Sequence, residues 1–600
     1  MAGQLTRAQA PESLTWNLDD LFPSLEAWET ELAAVETALP GVTQYAGRLG
    51  DGADVLADCL DAMEALYIKV VRLYTYASLL ISGDGSDPVN QGNMDRVGAM
   101  FAQMEAELSF IESEIVALPD GIVERYVSTD ERLASLRKYL TDILDTKPHK
   151  LLPETEAVLA ALGEVLQAPG MIYERSKTSD MAFAPVTDSA GIEHPVSFAL
   201  YEDHFEQSPD NELRRQAYGS FVETLSHYQN TFAATYATEI KRQVITARVR
   251  GYESVTHMLL HPQKVTVEMY HNVLDIIQTD LAPHMRRLAR LRQRILGVDK
   301  MLVCDLKAPL DATYVPQTTY KQAEPMIREA LSVLGDEYGD ILKRAFSERW
   351  VDLADNIGKS SGAFCSDTYG VHPYILLTWA DNMRSAFTLA HELGHAGHGE
   401  LAGRNQRMLN TWPSMYFIEA PSTLNELLLA QHILAHTDDA RMRRWVILQS
   451  LGTYYHNFVT HLLEGELQRR VYALAEQGHP ITAAVLCEQK GNVLSKFWGD
   501  AVEIDNGARL TWMRQPHYYA GLYPYTYAAG LSASTAVAQM IREEGQPAVN
   551  RWLQALKSGG TLPPLELMRV AGVDMEKPEP IRKAVAYVGS LVDELEGSFA

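Results

Sequence analysis

The sequence predicts a mainly α-helical protein. Long stretches place apolar residues at i, i+3, i+4 and i+7, the spacing of one helix face. Leu56, Cys59, Leu60, Met63, Leu66, Tyr67, Val70, Val71 and Tyr74 follow that spacing in one run. Only two stretches read as extended chain, and no fixed-period repeat points to a solenoid.

In chain order, helices are expected at roughly 24–40, 56–74, 87–118, 130–145 and 154–167. Residues 181–199, MAFAPVTDSAGIEHPVSFA, alternate around an Asp-Ser-Ala-Gly turn and predict a β-hairpin. That hairpin is read as the junction between an N-terminal helical region, 1–200, and a second region, 201–600. Further helices follow at 210–250, 266–297, 320–335 and 439–478. Between them, Tyr374 to Trp379 suits a short strand, and Pro373 at its start predicts an edge position. Aromatic and Met residues on the helix faces are read as core.

The chain has 600 residues, 46% hydrophobic and 22% charged, enough for a large core. A net charge of −26 argues against nucleic acid and anionic membranes as partners. No unbroken run of 18 apolar residues occurs, so no membrane span is expected, and MAGQLTRAQAPESLTW lacks a signal-peptide core. Cys59, Cys304, Cys365 and Cys487 are scattered and form no C-x-x-C pair. They read as reduced thiols of a cytoplasmic protein. Gly358-Lys359-Ser360 resembles the end of a phosphate loop, but the Gly required five residues earlier is Leu353, so nucleotide binding is rejected.

The stretch richest in chemistry is Thr388–Gly399, TLAHELGHAGHG. His391 and His395 lie four apart, on one helix face, and can grip one ion. Glu392 beside them supplies a carboxylate. This is the H-E-x-x-H pattern, in which two imidazoles bind Zn²⁺ and the Glu takes a proton from the bound water. Gly394, Gly397 and Gly399 each cost about 1 kcal/mol in a helix interior. They predict a place where backbone or a ligand approaches closely.

A catalytic zinc wants three protein ligands. His398 is near, but ~10 Å of helix separates it from His391 at 1.5 Å per residue, too far for one tetrahedral ion. It is read as packed or supporting. Glu419 is the alternative: Gly403 and Asn405 can end the metal helix, and Leu424–Ala430 reads as a second helix lying beside it. Glu426, seven residues on, shares that face and can orient an imidazole. Spacing alone leaves both glutamates open to being surface carboxylates. The last cluster is His517 with Tyr518, Tyr519, Tyr523, Tyr525 and Tyr527, read as a loop around Gly521 and Pro524. It suits donors to an oxyanion and suits equally an aromatic loop packed on itself.

These residues also carry a resemblance. LTWNLDDLFPS, GKSSGAFCS, PYILLTWADNMRSAFTLAHELGHAGHG, FIEAPSTLNE and the His517 loop are similar to oligoendopeptidase F, in the thimet oligopeptidase superfamily of zinc metallopeptidases. The resemblance implies two largely helical halves enclosing a deep substrate channel, with a small sheet beside the H-E-x-x-H helix. It implies one Zn²⁺ held by His391, His395 and Glu419, with Glu392 as general base and Glu426 as a supporting acid. His517 would contact the substrate carbonyl. Tyr525 and Tyr527 are taken as the oxyanion tyrosines, with Tyr523 the alternative. The implied activity is cleavage of internal bonds in short peptides, with the strand at 374–379 pairing with peptide backbone. Two alternatives are a helical zinc metallocarboxypeptidase and a non-catalytic peptide-binding protein with a structural metal.

Overall fold

The structure, a computed structural model, describes residues 5–599. Helices appear in all the regions where they are expected. The chain forms two compact units, each made of three segments. The first comprises Met1–Pro148, Pro316–His436 and Val537–Val573; the second His149–Val315, Thr437–Ala536 and Asp574–Ala600. Residue 200 thus falls inside the second unit.

In the first unit, helices Leu25–Ala38, Ala53–Gly83 and Pro88–Leu108 pack around a core that includes Trp28, Leu60, Met63 and Val70. Ser24 caps the first of them, accepting from Ala27 N, and Trp28 Nε1 donates to Leu73 O at 2.9 Å. Ala53–Gly83 is long and apolar enough to cross a membrane by length and mean hydropathy, 1.2 over its most apolar window. The expectation of no such segment rested on unbroken apolar runs, which residues such as Asp61 and Glu64 interrupt. Here its apolar face lies in the core, and both acids hydrogen-bond Arg407.

The unit's sheet has three short strands, Val351–Asp352 (β3), Phe364–Ser366 (β4) and Tyr374–Leu376 (β5). Their order is β3-β5-β4; β5 is parallel to β3 (Ile375 opposite Val351) and antiparallel to β4 (Ile375 opposite Cys365). The edge position expected for β5 is therefore corrected: β5 is central and β4 is an edge. Pro373 precedes the first ladder residue, so its missing N–H costs no sheet bond. Tyr374 and Leu376 join the N-terminal core, and all three β5 residues are buried, as suits a strand covered on both faces. β4 and β5 pack against the helix Met383–Asn405.

The second unit contains the 39-residue helix Asn211–Val249. The expected hairpin is present as Val186–Thr187 (β1) and Glu193–His194 (β2). Asp188 closes its turn, accepting from Ala190 N and Ile192 N at 2.9 Å, and Gly191 takes φ +81°. Two helices read as continuous are interrupted by π-helical turns, at Ile277–Leu281 and Tyr455–Thr460.

Candidate active site

The Met383–Asn405 helix carries the H-E-x-x-H residues. Asn382 caps it, accepting from Ser385 N at 3.0 Å. His391 and His395 stand one turn apart, ring centroids 5.1 Å. The second helix, Glu419–His436, packs against the first and opens on Glu419 itself. Glu419 Oε2 lies 3.4 Å from His391 Nε2 and 3.5 Å from His395 Nε2. Ser422, within the same turn, donates to that oxygen at 2.9 Å and fixes the carboxylate. One ligand-type atom from each of the three residues lies within 4.8 Å of the others, the one such group of His, Cys, Asp and Glu found among the described residues.

Close approach of the two helices depends on Gly394. A Cβ there would stand 2.5 Å from Pro421 O and from Ser422 Cα. The expected backbone approach is found at this glycine. At Gly397 the space is filled by the Tyr338 ring, and at Gly399 by the Asp367 carboxylate. Asn425 adds a tie the sequence reading did not single out: its Nδ2 donates to Ala390 O at 3.1 Å, and its side chain hydrogen-bonds Tyr338 Oη. Because main chain, not a flexible side chain, would meet the new methyl, Gly394→Ala should destabilise the protein by about 1–3 kcal/mol, read as a fall in the thermal unfolding midpoint.

Around the triad the charges are ordered. Glu426 accepts from His391 Nδ1 at 2.6 Å, which leaves Nε2 free to face Glu419. Burial opposes a charge on His391, yet its hydrogen bonds with Glu419 and Glu426 raise its pKa well above the ordinary value. Burial works against the Glu419 carboxylate too, and the two imidazoles hold its pKa well below the usual range. Glu392 is only 5% exposed, and burial raises its pKa against the pull of His391 and His395. His398 stays outside the cluster. It is buried edge-on to Phe417, Nε2 has no partner, and burial with the nearby His395 pushes it down to about 3. Asp367, which sequence reasoning missed, is pushed up to about 7 by burial.

In the second unit, Pro516–Tyr519 forms one 3₁₀ turn, and a helix starts at Pro524. The region read as a loop thus becomes helical where proline suits a first turn. Tyr523 and Tyr527, four apart, cluster with His517: centroids are 5.2 Å and 6.0 Å from His517 and 5.2 Å from each other. Tyr525 points elsewhere. It is fully buried, edge-on to Tyr270, and its hydroxyl donates to Gln263 Oε1 at 2.6 Å. Tyr525 and Tyr527, two apart on a helix, face opposite sides, and it is Tyr523 that lies with Tyr527 beside His517. Under this turn, Tyr518 donates to Glu464, which is paired with Lys490; all three are buried. Burial lowers the pKa of His517, with Lys177 adding to it.

The family model for peptidase family M3 matches residues 204–587, and one for oligopeptidase F matches residues 114–183. The chain belongs to peptidase family M3. This M3 peptidase is 32% identical to oligopeptidase PepF of Bacillus subtilis over 98% of its own length and 88% of the relative's. It is 26% identical to the plasmid oligoendopeptidase F of Lactococcus lactis subsp. cremoris, covering 98% of each chain. Among solved structures, a Chlamydophila abortus protein described as a peptidase matches with TM-score 0.90 and 27% identity, over 99% of this chain and 100% of the other. Oligoendopeptidase-F of Enterococcus faecium matches with TM-score 0.72 and 25% identity, over 96% and 100%. The mainly α fold of this M3 peptidase is the fold of those neighbours. Its two imidazoles and one carboxylate converge as a group able to hold a metal ion.

Proposed function

We propose that the chain is a zinc-dependent endopeptidase that hydrolyses internal bonds of short peptides. The observation that carries this is the His391–His395–Glu419 cluster with buried Glu392 next to it in the chain. The names of the oligoendopeptidase F relatives support peptides as the substrate class. Bound by the three residues, zinc would supply Lewis-acid polarisation and an acidified water.

The chain's own residues supply the rest. Glu392 takes the proton of the attacking water and returns it to the leaving amine; burial, by favouring the protonated form, suits it to holding that proton between the two steps. Glu426 keeps His391 in the tautomer that ligates through Nε2. β4, as an edge strand against the same helix, offers backbone groups to an extended peptide, taking the role the sequence assigned to β5. His517, with Tyr523 and Tyr527, is assigned hydrogen bonding to the substrate carbonyl oxygen. Glu426→Gln should weaken zinc affinity by about 10–100-fold, measured by competition with a chromogenic chelator.

The test uses a quenched fluorogenic peptide blocked at both ends. Cleavage should stop with chelator and return with zinc, and mass spectrometry should find internal scission. Stepwise removal of C-terminal residues from a peptide with a free C-terminus, with the blocked peptide untouched, would favour a metallocarboxypeptidase. Chelator-insensitive cleavage, or none, would overturn the reading.

A further inference from the structure

His456 and His461 are five residues apart. On an α-helix, at 100° per residue, they would point ~140° from each other. The π turn Tyr455–Thr460 contains His456 and ends just before His461, and its i→i+5 bonding brings residues five apart onto one side. Their Nε2 atoms meet at 3.1 Å. His461 is 2% exposed, and its Nδ1 is buried with no hydrogen-bond partner. Its ring stacks flat on Tyr527, centroids 4.1 Å and planes 10° apart, and stands edge-on to His517 at 5.2 Å.

One proton must sit between the two Nε2 atoms. If His456 donated it, a neutral His461 would carry its own proton on Nδ1, a buried N–H with nothing to accept it, which native interiors rarely tolerate. If His461 donates from Nε2, its Nδ1 carries only a lone pair. Burial, with His456 and His517 nearby, pushes the His461 pKa down to about 2, so the ring stays neutral. The neutral ring is thereby locked in rotation, and Tyr527 lies against its face.

We propose that His461 is a positioning residue: its Nε2–H is anchored on His456 across the π turn, and its ring sets the orientation of Tyr527 beside His517. This rests on the reading that His517 and Tyr527 contact the substrate. His461 touches no reacting atom itself. It acts by fixing the tyrosine ring, where an error of a fraction of an ångström lowers turnover while leaving ground-state binding in place.

The blocked fluorogenic peptide tests it with the zinc-loaded enzyme. His461→Phe keeps a stacking ring and loses the anchor; kcat should fall about 10–100-fold with KM within about twofold. His456→Phe removes the acceptor and leaves His461 in place, so the same split is expected even if His461→Phe fails to fold. Histidine-selective ¹⁵N NMR of the wild type should show His461 protonated at Nε2 and bare at Nδ1. Wild-type kcat in both variants, or the Nδ1–H form of His461, overturns the proposal. His517→Ala and Tyr527→Phe separate the two levels. If they lose turnover while the His461 and His456 variants do not, only the positioning role falls; if they too keep wild-type turnover, the underlying reading falls and takes this one with it.

Discussion

Glu392→Gln should reduce peptide hydrolysis by about 10²–10⁴-fold, the usual contribution of a general base, while zinc remains bound. Gln is nearly isosteric, so the buried site keeps its packing, but the amide cannot accept the water's proton. Glu392 is 5% exposed and lies beside, not inside, the donor cluster. Zinc content after exhaustive dialysis should therefore match the wild type. Turnover near normal in a zinc-loaded variant would remove Glu392 from the role of base. Loss of zinc together with activity would instead make it a ligand.

Glu419→Ala should lose zinc. Two imidazoles alone leave the ion without its third protein ligand, and the Oε2 atom that lies near both rings is gone. Metal content by mass spectrometry should fall from about one ion per chain towards zero on dialysis, with peptide cleavage falling in step. Excess zinc should restore cleavage partly if the remaining pair still binds. Full zinc retention would put the third ligand elsewhere, and His398 is the nearest imidazole on the same helix. Its position outside the cluster argues against that outcome.

Much of this site was legible in the sequence because helical spacing is local. Four residues from His391 to His395 and seven from Glu419 to Glu426 fix relative directions without any tertiary information. The glycines gave a second legible signal: Gly394 faces main chain, as its cost in a helix interior predicts. What was misread lay where one residue type permits two local structures. Pro373 suits an edge strand and equally suits the position just before a central one. Pro524 suits a loop and equally begins a helix, and that choice decided whether Tyr523 or Tyr525 joined Tyr527. His456 and His461 were not legible at all, because five-residue spacing separates side chains on an α-helix and nothing local announces a π turn. Asn425, one residue before Glu426, points about 100° away from it on the helix, so the spacing that linked Glu419 to Glu426 did not reach it.

The division of the chain into interleaved segments constrains how the protein is made. The polypeptide passes from one unit to the other after residues 148, 315, 436, 536 and 573. The helices bearing His391, His395 and Glu419 leave the ribosome well before Val537–Val573, the last part of their own unit. The other unit waits for the final residues, from Asp574 onward. Neither unit is complete until its last segment has been made, so the nascent chain carries some unfinished apolar surface late into translation. Premature termination anywhere before residue 537 leaves both units incomplete at once, and a truncated product should be cleared by the cell's quality control instead of surviving as a half-active fragment.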